Sequence, residues 1–256
     1  ILYSELCNKK FSQLTHIKSY GGKFGISVFK YNKLTKEGYK PKISIVIPTF
    51  NHLDDCLKPC IESIKRNTDL SNIEVIIVAN GCTDGTKEYI ESLGDPFILL
   101  WMDEQAGFIK PTNLGIKAAK GEYIILLNND VVILDFFGKN EWIEILQKPF
   151  DNDSNVGVTG PFKINHPPTG IEYITFFCAM ISRKTIEKIG LLDEEFGYGY
   201  SEDADFCKRA NIAGLKICQV PIDLPVWTEE TSFPIWHARG ATFDRTPELK
   251  DITFKN

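Results

Sequence analysis

Largely apolar runs alternate with segments of helical periodicity over the first half of the chain. The runs cover residues 43–47, 75–78, 97–101 and 123–127. Short, nearly continuous apolar runs are typical of strands buried on both faces of a parallel sheet. Strands that alternate with helices at this spacing predict βαβ units. We therefore predict an α/β protein with a mostly parallel, Rossmann-like sheet flanked by helices, followed by a smaller mixed region.

Composition and charge exclude several classes of protein. The 256 residues carry a net charge of -5, which does not suit a nucleic-acid-binding surface. The longest apolar stretch, residues 173–181, is too short to span a membrane. Seven cysteines at irregular spacings, with no C-x-x-C pair, favour reduced thiols in a cytoplasmic protein. We interpret Cys56 and Cys60 as core-facing helix residues rather than zinc ligands.

The triplet Asn128-Asn129-Asp130 directly follows the fourth apolar run. Open α/β sheets bind ligands at the carboxyl ends of their strands. A carboxylate there can hold a divalent cation, and the cation can hold a diphosphate. The chain lacks both glycine-rich phosphate loops, G-x-G-x-x-G after a strand and G-x-x-x-x-G-K-[ST], so a bound diphosphate would need a metal. The alternative is a simple turn, since Asn and Asp are common turn residues.

Six short motifs, in order between residues 43 and 240, resemble the inverting GT-A glycosyltransferases of the family 2 type. They are residues 47–51 (IPTFN), 80–86 (NGCTDGT), 107–108 with 113–115 (GF and NLG), 126–130 (LLNND), 199–205 (GYSEDAD) and 236–237 (WH). Each motif alone is weak, whereas six in the same order are specific.

The resemblance implies a GT-A fold and a set of nucleotide-sugar contacts. These contacts are Pro48, Thr49, Phe50, Asn51, Asn80, Asp84, Lys110, Asn113, Asn128 and Asn129. Asn80 stands where the family usually has a base-reading Asp, which leaves the base preference open, with a UDP- or dTDP-sugar as the expected donor. Asn80 with Gly81 could equally form a turn, and Lys110 could be a solvated lysine.

The resemblance also implies a divalent metal, Mn²⁺ or Mg²⁺, held by Asp130 and His237. Asn128 replaces the first Asp of the family's D-x-D element, and one fewer negative charge should weaken metal binding. A histidine beside a tryptophan can also be a packed residue.

Glu202 and Asp203 match the family's acidic pair, in which the Asp is the usual catalytic base. A positioned carboxylate can take the proton of an attacking hydroxyl. The alternative is structural: Ser201 would cap a helix, and the two acids would favour its positive end. We expect Asp205 and Arg209 to form an ion pair on that helix.

Together these residues predict a metal-dependent inverting glycosyltransferase that moves a sugar from a nucleotide sugar to a glycan or glycoconjugate, as in polysaccharide biosynthesis. Residues 43–130 would form the nucleotide-sugar-binding half and residues 131–256 the acceptor-binding half with a C-terminal segment. Residues 1–42 would be an extension or linker, and the chain could belong to a larger multidomain polypeptide. The alternatives are a nucleotidyltransferase and a non-catalytic sugar- or partner-binding module.

Overall fold

The computed structural model describes residues 17–18, 26–28, 40–135, 138–166, 170–221 and 233–238. The strands are β1 Ile17–Lys18, β2 Ile26–Val28, β3 Ile43–Thr49, β4 Ile73–Asn80, β5 Phe97–Met102, β6 Tyr123–Leu127, β7 Val131–Ile133, β8 Val156–Gly160, β9 Lys163–His166, β10 Ile171–Ile174, β11 Cys178–Ser182, β12 Lys216–Gln219 and β13 Ile235–His237. The α-helices are α1 Lys58–Asn67, α2 Thr86–Leu93, α3 Ile109–Ala118, α4 Glu141–Asn152, α5 Arg183–Ile189 and α6 Glu202–Ile212. A π-helical turn, Leu53–Leu57, precedes α1, and two 3₁₀ turns cover Leu70–Asn72 and Glu194–Phe196.

Nine of these strands form one sheet in the order β1-β2-β5-β4-β3-β6-β11-β8-β12. The central strands β5, β4, β3 and β6 run parallel, as the sequence predicts. Strand β11 runs antiparallel between β6 and β8, and it opens the mixed region. Two small antiparallel ladders, β9 with β10 and β7 with β13, lie outside the main sheet. The predicted architecture is confirmed, although the boundary between the two halves stays a prediction.

The sheet carries an apolar layer on each face. Ile45 and Ile47 of β3 belong to one buried cluster, and Val46 between them belongs to the other. Successive side chains of a strand point to opposite faces, so a strand buried on both faces needs an unbroken apolar run. The helix–sheet contact is close: a Cβ at Gly115 of α3 would lie 2.3 Å from Val46 Cγ1.

Some predicted boundaries are wrong, for reasons of tertiary packing. Strand β3 runs through Pro48 to Thr49, because the ladder with β6 ends at Val46 and only β4 pairs beyond it. The largely apolar run 171–180 predicts one strand, whereas the structure has two strands in different sheets. The pattern of residues 113–120 predicts a helix capped by Gly121, whereas α3 begins at Ile109 and ends at Ala118. Gly121 is therefore no helix cap; it lies so close to β3 that a Cβ would approach Ser44 N to 2.6 Å.

The cysteines of the described segments are free thiols. Cys56 and Cys60 are buried, as predicted, while Cys7 lies outside the described residues. Among the described residues no helix is both long and apolar enough to cross a membrane.

Candidate active site

Polar residues follow β3, β4 and β6 at the same edge of the sheet, because these strands are parallel. The side chain of Asn129 donates a hydrogen bond from Nδ2 to Thr49 Oγ1 at 2.9 Å, and both residues are buried. The segments that leave β3 and β6 are thereby joined. Pro48 is buried within β3, whereas Phe50 and Asn128 are half-buried at the edge.

The segments after β3 and β4 are joined by Asn51 and Asp84. Asn51 Oδ1 accepts a hydrogen bond from Thr83 N at 2.7 Å. Asp84 accepts one from Leu53 N at 2.8 Å and one from Thr86 Oγ1 at 2.6 Å. Both carboxylate oxygens of Asp84 therefore serve the loop structure, and a nucleotide contact through Asp84 stays a prediction.

Asn80, at the end of β4, uses both ends of its amide to hold the loop after β5. Its Oδ1 accepts from Ala106 N at 2.8 Å, and its Nδ2 donates to Gly107 O at 2.8 Å. The side chain is only 3% exposed. A carboxylate has no proton to donate to the Gly107 carbonyl, so the loop geometry itself requires an amide at position 80. These two bonds use one hydrogen and one lone pair of the amide, and a contact between Asn80 and a nucleotide base stays a prediction.

The loop held by Asn80 packs directly against the segment that leads into α6. Phe108 N donates to Tyr198 O at 2.7 Å. Gly107 has a φ of 77°, and a Cβ there would lie 2.5 Å from Tyr198 Cα. Only glycine combines this φ with so close an approach.

Helix α6 begins at Glu202 after three residues with positive φ. Gly199, Tyr200 and Ser201 have φ values of 145°, 73° and 71°. The hydroxyl of Ser201 makes no capping hydrogen bond. The alternative in which the Ser201 side chain caps this helix is therefore wrong. A capping serine normally has extended φ and ψ, whereas Ser201 is left-handed.

Glu202 and Asp203 occupy a poorly hydrated environment. Glu202 is 8% exposed, and its Oε2 is buried with no hydrogen-bond partner among the described residues. Burial, and then the neighbouring Asp203, raise the pKa of Glu202 to about 7. Burial also raises the pKa of Asp203, against a lowering by hydrogen bonds from backbone groups that include Phe176. Burial raises the pKa of Tyr173 as well, and the Asp203 charge adds to that effect.

Three other residues singled out in the sequence, Asp205, Arg209 and Asn113, form hydrogen bonds within the fold. Arg209 donates to Asp205 at 2.7 Å, which confirms the predicted ion pair, and also to the carbonyls of Ile189 and Leu191. Asn113 is 1% exposed, and its amide exchanges hydrogen bonds of 2.9 and 3.0 Å with the Leu192 backbone. We therefore leave Asn113 out of the proposed site. Lys110 lies half-buried in the first turn of α3.

The predicted metal ligands Asp130 and His237 are brought together from distant parts of the chain. Asp130 Oδ1 and His237 Nε2 lie 3.3 Å apart. His237 pairs with Val131 across the β7–β13 ladder, and Ala238 N donates to Asp130 O at 3.2 Å. The buried His237 Nε2 makes no hydrogen bond within the described segments.

This pair fits a divalent cation. Two ligands bound at right angles to one cation, with bonds of about 2.1 Å, lie about 3 Å apart. The His237 ring is fixed by stacking on Phe177, with ring centroids 4.3 Å apart and planes 7° from parallel. The sequence motifs did not indicate the structural roles of Phe177, Gly107 and Tyr198. Of these three, only Gly107 left a signal in the sequence, because a glycine in a loop can indicate that two backbone segments lie close together.

The model of glycosyl transferase family 2 matches residues 44–189 of the chain. The chain belongs to glycosyl transferase family 2. The match contains β3 to α5 and therefore Asp130, while the acidic pair and His237 lie beyond it.

Curated relatives of this family 2 chain are longer proteins. The O-antigen biosynthesis protein RfbC of Myxococcus xanthus is 28% identical over 69% of this chain and 16% of its own length. Glycosyltransferase GlyG of Streptococcus pneumoniae is 30% identical over 43% of this chain and 36% of its own length. The chain thus spans well under half of either relative.

Solved structures confirm the GT-A fold of this family 2 glycosyltransferase. The mannosyltransferase PcManGT of Pyrobaculum calidifontis, in complex with GDP-Man and Mn²⁺, has a TM-score of 0.58 at 18% identity, over 72% of this chain and 56% of that one. TarS of S. aureus, in complex with UDP-GlcNAc, has a TM-score of 0.52 at 18% identity, over 69% of this chain and 55% of that one.

Replacing Asn80 by Asp should destabilise the protein by about 1–3 kcal/mol, because the Gly107 carbonyl loses its donor and faces a charge. The free energy of unfolding, measured by urea denaturation, tests this expectation. Asn72→Asp, the same change at an exposed position, should have almost no effect. Equal stability of the two variants would contradict the structural role of the Asn80 amide.

Stability should fall as pH rises through the titration of Glu202. Its pKa is about 7 in the folded protein against an ordinary value of 4.5, so between these values the folded state keeps a proton that the unfolded chain has released. The loss is of the order of 3 kcal/mol, and it is complete above the folded pKa. Between pH 5 and pH 8, the free energy of unfolding should fall less in Glu202→Gln than in wild type. The exposed control Glu88→Gln should lose as much unfolding free energy over this pH range as wild type does. An equal loss in Glu202→Gln and wild type would contradict the raised pKa of Glu202.

Proposed function

We propose that this chain is a metal-dependent, inverting glycosyltransferase that transfers a sugar from a nucleoside-diphosphate sugar to a hydroxyl of a glycan or glycoconjugate. The observation that carries the proposal is the pairing of Asp130 with His237, whose Oδ1 and Nε2 atoms lie 3.3 Å apart. The Phe177 ring stacks on His237, and the ring of the preceding residue, Phe176, packs edge-on against Phe206 of α6, the helix that begins with the acidic pair. One short segment therefore contacts both His237 and the helix that carries the acidic pair.

Asp130 and His237 are the proposed ligands of Mn²⁺ or Mg²⁺. A bound divalent cation would neutralise charge on the diphosphate as it departs. Asp130 supplies the negative charge, and the Phe177 stack and the β7–β13 ladder orient His237. The Mn²⁺ in the PcManGT complex supports this choice of cation.

Asp203 is the proposed catalytic base. Attack of the acceptor hydroxyl on the anomeric carbon, opposite the leaving diphosphate, inverts the configuration, and the hydroxyl must lose its proton during the attack. Asp203 is half-buried and can reach a ligand, whereas Glu202 is almost fully buried. A protonated Glu202 adds no second negative charge beside the base, so its proposed role is to support Asp203.

The donor site is proposed at the edge formed by residues 48–51, Asn80 and residues 128–129. GDP-Man and UDP-GlcNAc in the two solved complexes support a nucleotide-sugar donor. We keep a UDP- or dTDP-sugar as the proposed donor. The remaining hydrogen and lone pair of Asn80 match the adjacent carbonyl and ring N–H of uracil or thymine, a pair that guanine also presents. Lys110 and Asp84 remain proposed contacts of this site.

The acceptor is proposed to be a glycan or glycoconjugate in polysaccharide biosynthesis, a class supported by the name of the RfbC relative. Residues 43–130 would carry the donor site and residues 131–256 the acceptor site. A cytoplasmic location stays a prediction from the cysteine pattern.

Asp130→Ala should abolish sugar transfer and remove the metal dependence of donor binding. The purified chain is titrated with UDP-glucose, UDP-GlcNAc and dTDP-glucose by calorimetry, with Mn²⁺ and with excess EDTA. We expect EDTA to weaken wild-type binding and leave the residual binding of Asp130→Ala unchanged. Asp151→Ala, an exposed control on α4, should behave as wild type. EDTA-insensitive binding by the wild type would exclude the metal role, and a folded, donor-binding protein that never transfers or hydrolyses the sugar would favour a non-catalytic module.

Asp203→Asn should lower kcat by roughly 10²–10⁴-fold, the usual contribution of a general base, with donor affinity nearly unchanged. Asp193→Asn is the matched control, because Asp193 is an exposed residue of the same acidic segment whose turn bond to Glu195 N an Asn can also make. Rates follow from release of the nucleoside diphosphate, and the melting temperature checks the fold. Full activity in Asp203→Asn together with an inactive, folded Glu202→Gln would move the base to Glu202.

A further inference from the structure

Three side chains of metal-binding type lie together in the turn after β3, on residues that the proposed reaction does not use. They are His52, Asp55 and Cys56. Their ligand atoms all lie within 4.8 Å of one another. His52 Nδ1 and Asp55 Oδ2 are 3.3 Å apart.

The backbone explains why these three residues meet. His52 adopts a left-handed conformation, with φ 56° and ψ 41°. Its carbonyl accepts hydrogen bonds from both Cys56 N, at 3.0 Å, and Leu57 N, at 3.1 Å, and the second bond makes the turn π-helical. Single π-helical turns are rare and occur often at functional sites. The turn brings residues 52, 55 and 56 together without a contribution from distant parts of the chain.

The geometry suits a tetrahedral cation. Bonds of about 2.0 Å to nitrogen and oxygen at the tetrahedral angle place those two atoms about 3.3 Å apart. The His52–Asp55 distance therefore already matches one edge of such a site. Cys56 is buried, His52 is half-buried and Asp55 is exposed, so a cation could enter from the side of Asp55.

The ligand chemistry selects the metal. A thiolate with an imidazole favours zinc over the hard cations Mg²⁺ and Mn²⁺, which prefer oxygen ligands. The proposed catalytic metal ligands, Asp130 and His237, include no thiolate. Three protein ligands leave a fourth position for water.

We propose that His52, Asp55 and Cys56 form a zinc-binding site distinct from the proposed catalytic metal site. This proposal revises the interpretation of Cys56 drawn from the sequence, because His52 and Asp55 supply further ligands that the spacing of the cysteines did not indicate. Zinc would bind the Cys56 thiolate after release of its proton, together with neutral His52 and the Asp55 carboxylate. Because Asn51 directly precedes His52, the bound zinc would fix the loop that carries a proposed nucleotide contact.

The test uses the full chain, stripped of metal and titrated with Zn²⁺ or Co²⁺ alone. Wild type should bind Co²⁺ with a thiolate-to-cobalt charge-transfer band and the strong visible bands of tetrahedral cobalt. His52→Ala and Cys56→Ala should each weaken Zn²⁺ binding at this site at least tenfold, and Cys56→Ala should also lose the charge-transfer band. His52 is half-buried, so its variant provides a test even if Cys56→Ala fails to fold.

Two control variants separate this site from its neighbours. Asp54→Asn changes an exposed carboxylate that pairs with Lys58 in the same turn, and it should bind Zn²⁺ as wild type does. Asp130→Ala should keep the cobalt–thiolate band. The proposal would be overturned if only Asp130→Ala lost the band, or if both His52→Ala and Cys56→Ala bound Zn²⁺ as wild type does. The His52–Asp55 contact would then be an ion pair beside the buried Cys56 thiol.

Discussion

The segment Phe176–Phe177 is the structural link on which both parts of the candidate site depend. The Phe176 ring packs against Phe206 of α6, the helix that begins with Glu202 and Asp203, and the Phe177 ring stacks on His237. The Phe177 carbonyl also accepts a hydrogen bond from Asn128 N at 2.8 Å. Two neighbouring residues therefore contact the helix that carries the acidic pair, His237 and the residue that follows β6. This arrangement follows from the antiparallel direction of β11, which starts where the parallel strand β6 ends.

A second link reaches the acidic pair from the donor side. The Asn80 amide holds residues 106 and 107, and the loop after β5 in turn binds Tyr198, four residues before Glu202. A change at position 80 therefore reaches the segment that leads into the acidic pair, in addition to the proposed contact with a nucleotide base. The bond to the Gly107 carbonyl offers a physical reason for an amide at this position, because a carboxylate could not donate it.

Local patterns were sufficient for the central sheet but insufficient for the site. The strands β3 to β6 could be predicted because burial on both faces requires continuous apolar runs, which are visible in the sequence. The direction of β11 and the pairing of β13 with β7 could not, since neither leaves a local signature. Asp130 and His237 were associated only through the family resemblance. The buried contacts of Asn113 and the left-handed conformation of Ser201 arise from packing against distant segments, which periodicity does not report.

The pairing of β13 with β7 affects the sequence in which parts of the protein fold. Strand β3 also closes a long loop when it pairs with β6, but it is held in addition by seven residue pairs with β4, whereas His237 meets Val131 through a ladder of three residue pairs. Few hydrogen bonds therefore compensate for the entropy of closing the long loop between β7 and β13. Short peripheral elements of this kind open at free energies well below that of global unfolding. We therefore expect the docking of His237 against Asp130 to have its own equilibrium constant, so that the central sheet can be fully folded while the Asp130–His237 pair is still open.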